Sequence, residues 1–290
     1  MNDAFVIAPR QRQFCREHGL TEQYIQSLVP VARWLAKQVA QQTPLCLGIS
    51  GSQGSGKSTL AEYLKTELRQ HGLRTDSVSL DDFYLSRSQR AQRAADIHPL
   101  FQTRGVPGTH NTALAEEVLA RFRARQPLIL PRFDKSMDEP FAPELWTHTH
   151  TLDVLILEGW CLGVEAQSAE QLRCPVNQLE QSQDPDGRYR HAVNQFLKAD
   201  YHSLFRQVDK LIFLDAGCFS HVARWRFEQE QKLSLSGAQS RRMSQQEVTH
   251  FVQFFQRLTQ WGLETLPAQC DINLQLSPQR DIAASTEIHN

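Results

Sequence analysis

The chain has 290 residues, enough for one large α/β domain or two small ones. Its 31 Lys plus Arg against 32 Asp plus Glu leave a net charge of -1, which excludes the broad basic face that non-specific nucleic-acid binding requires. No run approaches the ~18 apolar residues of a spanning helix, the N-terminus lacks an apolar signal core, and the six cysteines are dispersed. The expectation is a cytoplasmic protein with reduced thiols, without nucleic acid or membrane as a partner.

Residues 1–20 are polar and carry no strong pattern. From Thr21 a helical stripe runs through Tyr24, Ile25, Leu28, Val31, Leu35 and Val39, and Pro30 either kinks that helix or starts a second. Segment 1–44 reads as helices packed on a domain covering 45–290, with a partner-docking helix as the other reading. An apolar strand, Leu45–Ser50, leads into GSQGSGKS (Gly51–Ser58) and a helix to about His71, closed by Gly72. Strand Thr75–Leu80 ends in Asp81-Asp82-Phe83-Tyr84. Residues 86–111 are polar and turn-rich around RGVPGTHN (Arg104–Asn111), and a long loop of that kind is usually functional. Helix Ala113–Arg123 and strand Leu128–Leu130 precede PRFDKS (Pro131–Ser136) and a proline-broken loop to His150.

Leu152–Glu158 is almost continuously apolar and ends in an acid, as a strand buried on both faces does. Residues 165–190 read as irregular, followed by helix 191–207 and strand Leu211–Leu214. An Arg-rich helix over about Phe219–Lys232 enters SLSGAQSRR (Ser234–Arg242), read as mobile. A long helix to about Trp261 and a strand, Asp271–Leu276, complete the chain. Alternating strands and helices predict an α/β fold with one doubly wound parallel sheet.

GSQGSGKS fits G-x-x-x-x-G-K-[ST] between a strand and a helix. The backbone from Gly51 through Ser52, Gln53, Gly54, Ser55 and Gly56 would cradle phosphate, its glycines free to adopt positive φ. Lys57 would reach the β- and γ-phosphates, Ser58 would ligate Mg2+, and Thr59 opens the helix whose positive end faces the anion. A glycine-rich surface turn is the other reading, and it leaves the coincidence of strand, lysine, hydroxyl and helix without a cause.

Ligands of such sheets bind beyond the carboxyl ends of the strands, where Asp81, Asp82 and Glu158 fall. Glu158 is placed to face Mg2+ beside Ser58, and one of the two aspartates to take a proton from an acceptor hydroxyl. Their plainer readings are a solvated strand end and a helix cap. Arg104, His110, Arg132 and Lys135 suit a small anionic or hydroxylated acceptor, or are solvated loop residues. Arg224, Arg226, Arg241 and Arg242 bracket the mobile stretch and would close over phosphates as a lid near 226–243, or else line a solvated helix face. His148 and His150 alternate on an extended segment without a third ligand, which favours a polar strand over a metal site.

The stretches GISGSQGSGKSTL, SLDDFYL, RGVPGTHN, LPRFDKS, ILEGWCLG, WRFEQE and MSQQEVTHFV, over about 45–276, resemble the P-loop kinases of the phosphoribulokinase–uridine kinase–pantothenate kinase group. The likeness is strongest to the glycerate 3-kinase branch of plants and fungi and its bacterial relatives. It implies a five-stranded parallel core with a mobile lid, ATP and Mg2+ as cofactors, and phosphoryl transfer to a hydroxyl. Asp81 then matches the catalytic base, Glu158 the Mg2+-associated acid and Arg226 a lid residue acting on the phosphates. Ser58, Glu158 and Asp81 become the metal-facing set, and Asp82, Tyr84, Arg104, His110, Arg132 and Lys135 the acceptor set. D-glycerate is the acceptor implied first, with a nucleoside, pantothenate or a sugar phosphate as alternatives. Outside the class stands an NTP-binding switch, which has no need of the loops at 86–111 and 131–150. Two departures touch the acceptor region: DKS continues as MDEPFAP, and Asn111 stands where the family motif has Asp.

Overall fold

Seven consecutive buried residues, Leu45–Gly51, form the strand at the middle of the sheet. The structure, a computed structural model, describes residues 7–235 and 243–287. Ahead of this strand stand α1 (Pro9–His18) and α2 (Glu22–Gln41). The first is illegible in sequence because it buries only Gln11, Phe14 and Cys15 of a short polar stretch. The second runs through Pro30 without interruption, since Pro30 lies on the exposed face where water can substitute for a lost intrahelical bond.

From the central strand, β1 (Leu45–Gly51), the chain passes to α3 (Lys57–Gln70) and β2 (Thr75–Ser79). The expected extended end of β2 instead tightens into a 3₁₀ turn, Leu80–Phe83, with Ser79 and Asp82 capping each other. Residues 86–111 are more ordered than a loop: α4 (Arg87–Asp96) starts on a Ser86–Gln89 capping box, and a 3₁₀ turn follows at Pro99–Gln102. Next comes α5 (Thr112–Arg123), capped by the Asn111 side chain, which accepts from Leu114 N at 3.1 Å. Strand β3 (Leu128–Leu130) leads into a small hairpin, β4 (Phe133–Asp134) against β5 (Glu139–Pro140), and β6 (Thr147–Thr149) returns to pair with β3.

The strand read at 152–158 is β7 (Val154–Gly159). Residues 165–190 contain α6 (Gln178–Gln183), and the helix expected at 191–207 begins earlier, as α7 (Arg188–Phe196). A π-turn at Leu197–Tyr201 joins it to α8 (His202–Phe205). The remainder is β8 (Lys210–Asp215), α9 (Phe219–Leu235), α10 (Gln245–Thr265), β9 (Ile272–Leu276) and β10 (Ile282–Glu287). Residues 236–242, most of the SLSGAQSRR stretch with Arg241 and Arg242, lie outside the described residues.

The main sheet has the order β10-β9-β8-β1-β7-β2. Its five strands from β9 to β2 are parallel, as expected, and β10 adds a sixth, antiparallel, at the edge. Side chains alternate across it: Leu45, Leu47, Ile49, Val154 and Ile156 pack under α2 and α3, while Cys46, Leu155 and Leu157 pack with Phe122, Tyr201 and Phe255 on the other face. The register pairs Glu158 with Ile49 on one side and with Ser79 on the other. The turns after β1, β2 and β7 therefore open at one edge. No described helix is long and apolar enough to cross a membrane.

Ile25, Leu28 and Leu35 of α2 are fully buried in the same cluster as β1. Leu35→Ala should lower the unfolding free energy by about 2–5 kcal/mol in urea denaturation. A loss below about 1 kcal/mol would mean that segment 1–44 is an appendage and no part of the core.

Candidate active site

The turn after β1 is glycine for two reasons. Gly54 and Gly56 hold φ of +78° and +95°, and a Cβ on Gly54 would lie 2.8 Å from Cβ of Trp225. Lys57 Nζ donates to the Ser52 carbonyl at 3.0 Å, which curls the ammonium back over the loop. The buried side-chain oxygens of Ser52, Gln53 and Ser55 have no hydrogen-bond partner among the described residues. Such orphans cost about 1–3 kcal/mol each unless a ligand satisfies them. Thr59 stands in the first turn of α3, whose unpaired N–H groups face the same space. Burial pushes the Lys57 pKa down, while Glu158 and Asp81 pull it back up.

Ser58 Oγ donates to Glu158 Oε1 at 2.9 Å, and Glu158 is 8% exposed. A hydroxyl and a nearly buried carboxylate at this spacing are hard oxygen donors of the kind Mg2+ takes. Among the described residues no group of three or more His, Cys, Asp or Glu could hold a metal ion, His148 and His150 included. An ion at Ser58 and Glu158 would need phosphate oxygens to complete its shell, which fits a metal that arrives with a nucleotide.

The 3₁₀ turn after β2 separates the two aspartates. Asp81 accepts from Tyr84 OH at 2.8 Å and from Lys135 Nζ at 2.6 Å. Burial alone would raise its pKa, but the Lys135 ammonium, its hydrogen bond and that of Tyr84 bring it down to about 2. Lys135 answers with a raised pKa, because Asp81 outweighs the opposing effect of burial. Asp82 instead spends its oxygens on backbone, Ser79 N and Phe133 N at 3.2 Å each, with Arg132 at 3.7 Å. Burial raises its pKa against those bonds. It ties the end of β2 to the 131–134 segment.

Tyr84 stacks on His110 with ring centroids 4.4 Å apart, and the two residues form an isolated antiparallel bridge. His110 is buried, and its Nδ1 lies 2.5 Å from the hydroxyl of Tyr201. That oxygen also accepts from Gly108 N at 3.1 Å. Nε2 has no partner among the described residues. Tyr201 sits at the end of the π-turn, and nothing in the sequence singles it out.

Lys57, Ser58, Asp81, Tyr84, His110, Lys135 and Glu158 thus surround one edge of the sheet. The arginines do not all join them. Arg104 is held by Asp138, and Arg132 is half exposed beside Asp82. Arg226 pairs with Glu230 at 2.5 Å and lies over the Phe251 ring of α10, 5.5 Å from its centroid. Arg224 reaches the Pro278 carbonyl and Glu228.

No protein-family model matches the chain. It is 33% identical over 254 residues to the uncharacterized kinase mug58 of Schizosaccharomyces pombe, covering 84% of this chain and 90% of that one. It is 27% identical over 265 residues to the chloroplastic D-glycerate 3-kinase of Arabidopsis thaliana, covering 83% of this chain and 55% of the plant enzyme. Among solved structures, a D-glycerate 3-kinase from Cryptococcus neoformans is similar with a TM-score of 0.71 and 26% identity, over 92% of this chain and 100% of that one. The YGR205w protein shares the fold with a TM-score of 0.74 at 23% identity, over 93% of this chain and 100% of its own.

Burial lowers the His110 pKa from 6.5 to about 4, with Asp81 opposing. Between those values the unfolded chain takes a proton that the folded one refuses, so His110 makes stability fall as pH drops from 6.5 towards 4. The whole effect is about 3 kcal/mol at 1.36 kcal/mol per pH unit. In urea denaturation across that range, His110→Asn should flatten the decline relative to the unaltered protein. An unchanged slope would mean that His110 protonates within the folded state.

Proposed function

We propose an acceptor and a set of residue roles from one premise: this chain belongs to the P-loop kinases of the phosphoribulokinase–uridine kinase–pantothenate kinase group, with the kinase mug58 and the D-glycerate 3-kinases among its relatives. It is an ATP-dependent kinase acting on a small-molecule acceptor. The acceptor proposed is a small hydroxy acid, D-glycerate first. The observation that carries this reading is the Asp81 carboxylate, held between Lys135 and Tyr84 at the edge where Lys57 emerges. A hydroxyl at Asp81 with a carboxylate near Lys135 matches both charges. Asn111 does not weigh against it, because its side-chain oxygen caps α5, as an Asp there would.

In the proposed reaction the loop from Gly51 to Gly56 and Lys57 hold the β- and γ-phosphates. Ser58 and Glu158 would hold Mg2+, which supplies charge neutralisation across the phosphates when bound. Asp81 orients the acceptor hydroxyl and takes its proton as the new P–O bond forms and the bond to ADP breaks. The unpartnered His110 Nε2 is available to hydrogen-bond the acceptor, and Tyr84 holds the Asp81 carboxylate in place. Arg226 belongs to the helix entering the proposed lid, and to act on phosphate it must leave Glu230.

Lys57→Ala should abolish turnover at saturating ATP with the fold intact by circular dichroism. Wild-type turnover in that variant would remove the phosphate loop from the mechanism. Asp81→Asn should lose roughly 10²–10⁴-fold in kcat, the range of a positioned base, with the KM for ATP unmoved. Asp82→Asn should act mainly on stability, and a larger kcat loss there than at Asp81 would exchange the two roles. The acceptor is tested by ATP turnover with D-glycerate, glycerol, pantothenate, uridine and a pentose phosphate. D-glycerate should raise the rate and neutral glycerol should not. Phosphorylation of uridine with none of glycerate would overturn the assignment, and a rate that no metabolite raises would favour a switch.

A further inference from the structure

Arg104 looks like a grip for an anionic acceptor, yet its guanidinium is engaged on three sides. It donates to the carbonyl of Lys135 at 3.3 Å and to the carboxylate of Asp138, and it lies over the Phe133 ring, 5.6 Å from the centroid. All three partners belong to the β4–β5 hairpin. The other oxygen of Asp138 accepts from Arg90 at 2.5 Å. Arg90 is fully buried and donates also to the carbonyls of Leu85 and Gln102, at 2.7 and 3.2 Å. Asp138 sits at φ +57°, a left-handed conformation that Asp and Asn tolerate best among residues with a Cβ. Asp134 closes the turn by accepting from Ser136 N at 2.9 Å and Met137 N at 3.1 Å. Glu139 fastens the far arm to Arg87 N at 3.3 Å. Lys135 stands inside this turn, 2.6 Å from Asp81.

We propose that Arg104, Asp138 and Arg90 form a clasp that locks the 133–140 hairpin onto the acceptor loop and so presents the Lys135 ammonium at Asp81, and that Lys135, not Arg104, meets the anionic group of the acceptor. This rests on the reading of the acceptor as a small hydroxy acid. A lysine on a four-carbon stem explores many rotamers, and holding its own carbonyl and its turn restricts where its ammonium can go. Misplacing a positioning group by about 1 Å can cost on the order of 10²-fold in rate. The three clasp members are positioning residues: they act through Lys135 and need not touch the acceptor.

Asp138→Asn separates the clasp from a direct role for Arg104, because it removes the charge and keeps the side-chain size and the tolerance for positive φ. With D-glycerate and ATP as probes, the clasp predicts a rise of about tenfold or more in the D-glycerate KM and an unchanged KM for ATP. Arg104→Gln should do the same, and the double variant should be no worse than either single within about twofold, since the residues act as one unit. If Arg104 gripped the acceptor directly, Asp138→Asn would free it and the D-glycerate KM would fall. A fall or no change overturns the proposal. Should the unaltered enzyme fail to phosphorylate D-glycerate, the functional reading fails separately. The clasp is then judged by pulsed acetic anhydride labelling of Lys135 read by mass spectrometry, with exposed Lys198 as reference. Asp138→Asn should raise Lys135 labelling several-fold, and equal labelling overturns the clasp.

Discussion

The parallel register of three strands is the constraint on which everything else rests. Glu158 lies level with Ile49 and with Ser79, so the turns that leave β1, β7 and β2 start from the same height. A one-residue slip would send every second side chain to the other face, burying Glu158 against apolar side chains and lifting it away from Ser58. Because Val154–Gly159 is buried along its whole length, that slip is blocked by packing on both faces. The loop carrying Lys57 and the turn carrying Asp81 inherit their alignment from this backbone ladder.

Within that frame the site balances charge at short range. Lys57, Glu158, Asp81 and Lys135 alternate in sign, and each lysine lies within electrostatic reach of both acids. Desolvation opposes the charged state of Lys57, Asp81 and Lys135, and opposite neighbours restore it. The arrangement keeps ionised groups at the mouth of an apolar sheet without isolating any of them, a condition that buried charge must satisfy. Among the described residues, the unpartnered oxygens of Ser52, Gln53 and Ser55 cluster in the phosphate loop, where the protein leaves several of its own polar groups waiting.

Trp225 couples this edge to more distant segments. It is fully buried on α9, its Cβ is the atom that excludes a side chain from Gly54, and its Nε1 donates to the Pro278 carbonyl at 2.9 Å. The phosphate loop, the helix that enters the proposed lid and the β9–β10 turn therefore share one residue.

Local chemistry was legible wherever a residue type has one use. The phosphate loop, the buried run ending in Glu158, a doubly wound parallel sheet and the apolar stripe of α2 follow from periodicity and glycine placement, and the count of five strands from the family resemblance. The short polar helices α1 and α4 were not, because they bury few apolar residues and their period is faint. Two aspartates in sequence are alike on paper. Only the 3₁₀ turn gives Asp81 to Lys135 and Asp82 to backbone amides, since it replaces the two-residue alternation of a strand. Arg104 likewise reads as a free cation until Asp138, 34 residues away, is folded against it. The sequence by itself determined which segments are strands and helices and where the phosphate-loop motif lies, because periodicity and motif spacing are local in the chain. Which charges remain available at the acceptor end was decided by tertiary structure alone, because a long side chain takes whichever partner packing brings within hydrogen-bond reach.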